Sequence, residues 1–427
     1  MPYTTDVFTN WLAFESWSAL KDWLQSADGG KLRIVEPKES VYALVRYVKG
    51  QSDFSKPHVA WCRSVVVDTA SRLPVCVAPP KASKFAEDVA GAAVQAEEFV
   101  DGTMINIYKV KGGESSLATR SRIGGKGRFY DGGMTFEEMM GGIVADHSKI
   151  LKADESASAV FTSVVLQHPS NRIVKSIEKA GIQIVHQGSV ASDGVVTIEE
   201  DAGEFHSELD ADTEIQPYNL EAIRGAKSVE AWVSQQAQER GFGWQGLVLK
   251  DGKGGRFRVR SQVYETVRRI RGNESSAEER FARLRKTRGM TQYLAFYPED
   301  HEAMYNLEGQ LRKNTRQLYT FYGDVFRGRK TPYHELPWPY KHHVSVLHNL
   351  FKDVLRAQSK KVTLEEVVKY VNSLGLEDLV NMSKVHSTEL RKKPESETPA
   401  AEATADTPAE ATAETEASER PSDESAE

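Results

Sequence analysis

The sequence predicts an α+β fold: a core of antiparallel sheets, then an all-helical C-terminal domain, then a disordered acidic tail. Three observations predict it. From His58 to about Tyr264 the chain is a series of short apolar or alternating runs bounded by Gly, Pro, Asp and Asn, interrupted by helical insertions. Beyond Tyr264 the periodicity turns helical and strand signals become rare. The final residues repeat Ala, Glu, Thr, Pro and Ser with almost no large apolar side chain, too little to offset the entropy of ordering the chain.

Taken in order, residues 1–58 read as a lead-in subdomain, with a helix-like Trp17–Leu24 and a strand-like Val41–Val48. Residues 59–265 form the sheet-rich domain. Its strands are expected at Ser64–Asp68, Leu73–Val77, Met104–Val110, Gln183–His186 and Gly246–Lys250, with a helix near Thr135–Val144. Residues 266–387 form the helical domain. There Thr363-Leu364-Glu365-Glu366 has the pattern of a capping box opening a helix through Val371, and Gly375 is placed to stop it. Residues 388–427 are the tail.

The chain has 427 residues, 40% of them hydrophobic and 27% charged, enough for two domains. No apolar run approaches the roughly 18 residues of a membrane span, and no basic-then-apolar leader opens the chain, so a cytoplasmic protein with no membrane partner is expected. Cys62 and Cys76 are too few for a disulfide framework or a four-cysteine zinc site and read as small buried hydrophobes. The net charge of −6 conceals a division: Pro394–Glu427 carries −10 and residues 1–393 carry +4. Within Lys250–Arg288, thirteen Lys or Arg face five acids, a patch suited to phosphate backbones. A solvated helix face explains the same charge run without a partner.

The chemistry centres on Glu98-Phe99-Val100-Asp101-Gly102-Thr103, set between two alternating apolar runs. It has the outline of the Lys-x-Asp-Gly element of covalent nucleotidyltransferases, with Phe99 where the lysine would stand. Other segments extend the likeness in order. Arg63-Ser64 within Trp61–Asp68 looks like an Arg-Gly strand element, and Ser83-Lys84-Phe85 like a Lys-Phe-Phe element. Thr119-Arg120-Ser121-Arg122 sits where Lys-Ser-Lys is expected. Val164–Val174 is similar to Phe-Glu-Phe-Val-x-Pro-x-Asn-Arg-Ile-Val, with Val165 at the glutamate. Trp244–Lys250 is similar to Glu-Gly-x-Val-x-x-Lys, with Gln245 at the acid, and Phe257–Tyr264 to Phe-Lys-Ile-Lys-Ser-x-x-Tyr, with Arg258 and Arg260 at the lysines. Together these resemble the tRNA-repairing RNA ligases of T-even phages, over about residues 40–270.

The resemblance implies a nucleotidyltransferase (ATP-grasp-like ligase) core. It implies nucleotide or phosphate contacts by Arg63, Lys84, Asp101, Gly102, Arg120, Arg122, Gln245, Lys250, Arg258 and Arg260. It also implies RNA, tRNA in particular, as partner, a setting in the host cytoplasm if the chain is phage-encoded, and RNA contact by the helical domain. There Arg268, Arg269, Arg271, Arg283, Arg285, Lys286 and Arg288 are the candidates. The departures fall on the nucleophile and on both acids. A phenyl ring has no lone pair to attack phosphorus, and valine offers no oxygen to a hard cation. The cations remain, several as arginine, whose fork suits phosphate.

The favoured reading is therefore a pseudo-ligase that binds RNA, or ATP non-covalently, without self-adenylylation and with no intact catalytic residue or metal site. Phe99 either stacks on a base or is simply core. Two alternatives stand beside it. One is an active ATP-dependent RNA ligase, using Mg²⁺, whose nucleophile has moved to Lys109, Lys111 or Lys84. The other is an adaptor with a vestigial pocket, whose acidic tail recruits an unknown protein. Weaker signals have simpler explanations. His342, His343 and His348 are spaced wrongly for one helix face. Gly124-Gly125-Lys126-Gly127 lacks the full phosphate-loop pattern and reads as a hairpin end. Tyr319–Tyr322 and Pro337–Tyr340 offer rings for RNA, but helix packing accounts for them more simply.

Overall fold

The computed structural model describes residues 2–85, 91–199, 215 and 217–384. The acidic tail, and its expected disorder, lie outside the described residues. The described chain divides into two compact units, one ending at Arg269 and one beginning at Ile270.

The first unit holds three sheets. Strands β1 (Tyr3–Thr5), β2 (Arg33–Val35), β3 (Tyr42–Arg46), β4 (Val65–Asp68), β5 (Pro74–Val77), β6 (Ser83–Lys84) and β7 (Gln95–Glu98) precede the central pair β8 (Thr103–Val110) and β9 (Ser115–Thr119). They are followed by β10 (Ala159–Gln167), β11 (Gly181–Val190), β12 (Val196–Glu199), β13 (Gly246–Lys250) and β14 (Arg256–Arg260). A six-stranded antiparallel sheet runs β1-β12-β11-β10-β8-β9, and four-stranded sheets run β2-β3-β4-β5 and β6-β14-β13-β7.

The expected strands and the expected helix at Trp17 all form, the latter as Trp17–Gln25 with Ser16 accepting a hydrogen bond from the Ala19 amide. The helix expected at Thr135–Val144 is shorter, Phe136–Gly141, and opens on a complete capping box between Thr135 and Glu138. The lead-in subdomain is corrected. Strands β2 and β3 lie before residue 58 and pair with β4 and β5 beyond it, and β1 is an edge strand of the large sheet. One core, with Phe8, Trp11 and Leu24 against Val65, Val77, Tyr108 and Phe161, fuses this segment to the rest. Burying these large side chains removes most of their apolar surface from water, at about 25 cal/mol per Å².

The second unit is helical throughout its described length. Its helices include Ala277–Thr287, Met290–Phe296, His301–Phe326, Trp338–Leu350, Leu364–Ser373 and Leu376–Lys384. Thr363 caps Leu364–Ser373 by accepting from the Glu366 amide, as the sequence pattern requires. Buried Asn314 on the long helix accepts from Tyr340 Oη and donates to the Met382 carbonyl, tying three helices together.

Candidate nucleotide and phosphate site

The β6-β14-β13-β7 sheet has two chemically opposite faces, because side chains alternate along each strand. One face takes Leu247, Leu249, Val259 and Ala96, which pack with Val233, Ala237 and Trp244 under the helix Val229–Arg240. The register assigns the other face. Lys84, Arg258, Val248 and Glu97 lie in one row across the four strands, Arg256 beside Lys250 in the next, and Arg260 beside Gly246 in the row on the other side. The Phe99 amide continues that last row, donating to the Gly246 carbonyl at 2.9 Å. Lys84, Lys250, Arg256, Arg258, Arg260 and Phe99 thus share one face with a single acid, Glu97.

Part of this face is withdrawn from water, while Lys84 is exposed and Arg258, Arg260 and Phe99 are half-buried. Lys250 is 1% exposed and Glu97 4%, with Nζ 2.8 Å from Oε1. Their approach is off the hydrogen-bond line, so the pair is electrostatic, and Nζ has no hydrogen-bond partner. His186 on β11 is buried in the field of this face. Burial, then Arg256, Lys250 and Arg63, hold its imidazole well below its usual pKa, and its Nε2 finds no hydrogen-bond partner. Burial, then Arg268 and Arg258, lowers Arg260 to about 10, which leaves it charged at neutral pH. Its guanidinium lies 5.3 Å from the Phe99 ring centre and 3.8 Å from Glu265. Half-buried Phe99 therefore serves as the ring under a cation, an interaction of about 0.5–2 kcal/mol depending on desolvation.

Asp101 has a different task. Its Oδ2 accepts from the Val174 and Lys175 amides at 3.0 and 2.8 Å, and its Oδ1 from Tyr264 Oη at 2.7 Å. The carboxylate thus ties two segments that the sequence resemblance matched separately, those ending at Val174 and Tyr264, to its own. Gly102, at φ +155°, lies so close to β10 that a Cβ would stand 2.5 Å from the Leu166 carbonyl oxygen and 2.6 Å from a Val165 methyl. Val165 is buried on β10 opposite Met104, and Gln245 is buried with its carbonyl accepting from the Ser261 amide. Neither brings a carboxylate. Among the described residues no group of three or more His, Cys, Asp or Glu is arranged to hold a metal ion.

Arg63 and Arg120 converge on Tyr47: Arg63 through its field and Arg120 with its guanidinium 5.2 Å from the ring. Arg122 closes the loop after β9 through its backbone to Thr119. The lysines weighed as displaced nucleophiles are distant from Phe99. Lys84 lies three strands across the sheet, about 14 Å at 4.8 Å per strand. Lys109 is six residues along β8 from Thr103, roughly 20 Å, and Lys111 beyond it donates to the Glu155 carbonyl. Near that far end Lys109, Lys111, Asp154 and Val160 line a cleft of about 410 Å³ to which Phe99 does not contribute.

Sequence reasoning missed Arg256, Glu97 and His186. Strand parity was the available signal for the first two, since residues 256, 258 and 260 must share a face.

Of the arginines expected to meet RNA, Arg268 is half-buried in the first unit near Arg260, and Arg269 is exposed. In the helical unit Arg271 is 4% exposed and donates to the Gly272 carbonyl. Arg283 clasps the Glu274 carboxylate and the Ile270 and Arg271 carbonyls, and Arg285 holds Glu308 and Asn372. These three are internal fasteners, and only Lys286 and Arg288 of this group in the helical unit face water.

No family model and no curated protein matches the chain. Among solved structures, one titled "Archaeal ATP-dependent RNA ligase - form 1" aligns with a TM-score of 0.31 and 13% sequence identity, covering 63% of this chain and 64% of that one.

Proposed function

We propose that this chain is a ligase-like binder of polyanions, taking RNA or the phosphates of a nucleotide such as ATP on the cationic sheet face without a covalent adenylyl intermediate. The observation that carries this reading is the single face joining Lys84, Lys250, Arg256, Arg258 and Arg260 to Phe99. Adenylyl transfer needs an amine lone pair to attack the α-phosphorus and expel pyrophosphate, and a phenyl ring cannot do so. Val165 and Gln245 offer no carboxylate to hold a divalent ion against the triphosphate. Binding survives this loss because it needs only charge and donors, and Lys84, Arg258 and Arg260 on this face are not buried.

The spacing of Lys84, Lys109 and Lys111 from Phe99 disfavours the displaced-nucleophile reading, because attack tolerates little misplacement. The choice of RNA, and of tRNA as the first RNA to try, comes from the sequence resemblance. The test is intact-mass measurement after incubation with ATP and Mg²⁺, alongside equilibrium binding of ATP and tRNA at two salt concentrations. The expected outcome is an unchanged protein mass with salt-sensitive binding. A covalent AMP adduct overturns the proposal, and absence of binding to both ligands favours the adaptor reading.

A further inference from the structure

The segment Pro337-Trp338-Pro339-Tyr340 splits into two chemically different halves. Tyr340 is 1% exposed and meets Phe321 edge-on at 4.9 Å, which is helix packing. Trp338 is 82% exposed, and Tyr333 on the preceding turn is 40% exposed. Leaving an indole in water forfeits its burial energy, so a stable fold gains nothing from this placement. The rings are nevertheless held on a fixed scaffold. Tyr333 Oη donates to the Lys341 carbonyl at 3.0 Å, and Lys341 Nζ donates to the His334 carbonyl at 2.6 Å, which fastens the turn to the first turn of the helix Trp338–Leu350. Upstream on the same exposed segment stand Arg329 and Lys330, while Arg327 lies back over Tyr319 at 4.7 Å.

We propose that Tyr333 and Trp338, with Arg329 and Lys330 before them in the segment, form a stacking platform for single-stranded RNA on the helical unit. Exposed rings on a rigid turn present π-faces to bases, and cations that are not folded back onto the helix meet the phosphates between them, the pairing by which single strands are held without reading sequence. The surface is distinct from Arg271, Arg283 and Arg285, which the unit uses internally. The choice of RNA over another strand rests on the proposed function.

The test uses the full chain and a fluorescent twelve-nucleotide uridine RNA, followed by anisotropy. Trp338→Ala is expected to weaken binding about tenfold, and Trp338→Phe to keep most of it, since stacking contributes about 1–3 kcal/mol per base. An abasic strand of equal length should bind the wild type more weakly than the uridine strand and should not distinguish wild type from Trp338→Ala. Loss of less than twofold in Trp338→Ala, or equal binding of abasic and uridine strands by the wild type, overturns the platform. Binding of ATP should be unchanged in Trp338→Ala. A wild type that binds the RNA through Trp338 and fails to bind ATP would strike the nucleotide part of the sheet-face reading and leave the platform standing.

Discussion

His186 is a basic residue enclosed with cations. It stacks near Phe161, hydrogen-bonds the Val77 carbonyl, and faces the fields of Arg256, Lys250 and Arg63. A charged imidazole there would add to existing repulsion, so the folded state holds it neutral well below the usual pKa. The sign follows. Unfolded, the ring takes up a proton as pH falls through about 6.5, while the folded ring does not, so stability present above that pH is lost below it, by about 1.4 kcal/mol per pH unit per proton. We expect urea unfolding of the wild type to lose about 1.4 kcal/mol more than His186→Gln between pH 7.5 and 5.5, with the other buried histidines contributing alike to both. Equal losses would show that His186 is not the linked group. Nothing local in Gln183–His186 marks this residue in the sequence, since the neighbours that set its chemistry come from β5, β10, β13 and β14 and from Arg63. Phe99, in contrast, was legible, because its meaning depends on residues adjacent in the chain.

At the scale of elements, the strands were legible and their faces only half so. Apolar runs located β4, β5, β8 and β13, where burial on both sides leaves a continuous hydrophobic signature, and alternation located β11. The cationic face was hidden in plain arithmetic: Arg256, Arg258 and Arg260 alternate with Phe257 and Val259, yet only the pairing to Lys84 and Lys250 makes them one surface. The β13–β14 pairing rests on Gly246. At φ +137° its backbone approaches β14 so closely that a Cβ would lie 2.1 Å from the Val259 carbonyl oxygen. A backbone oxygen cannot swing away as a side chain can. Gly246→Ala should therefore destabilise the first unit by about 2 kcal/mol or more, through strain at positive φ and a lost ladder contact. The same change displaces Arg260 from Phe99, so binding of ATP should fall with stability. Thermal unfolding of the variant within about 1 °C of the wild type would refute this account of the glycine, given the usual several degrees per kcal/mol.

For the whole molecule, the change from sheet to helix was read near Tyr264, and the division between the two units falls close by along the chain, between Arg269 and Ile270, within the helix Gln262–Arg271. Periodicity reports the change of secondary structure, whereas the boundary between units depends on which side chains share a core. The helical unit carries its own. Phe281, Leu284, Leu311, Leu318, Val344, Val371 and Met382 are all buried, and its charged residues close on one another through Arg280–Asp300, Arg283–Glu274 and Arg285–Glu308. Asn314, fully buried, has its amide satisfied by Met382 and its carbonyl by Gln310 and Tyr340, all in the same unit. A segment with a closed core and internally paired charges should fold without the sheet-rich unit. A fragment spanning residues 270–384 is expected to show helical circular dichroism and a single cooperative urea transition, because the hydrophobic cluster and the polar contacts named above close within that unit. Arg280→Met leaves Asp300 and the Tyr293 hydroxyl without their cation, and should lower that fragment's stability by about 2–3 kcal/mol while leaving the first unit's transition in the full chain unchanged. A fragment that is unfolded in buffer, or a full-length Arg280→Met protein in which both units shift together, would mean that the two cores are energetically one.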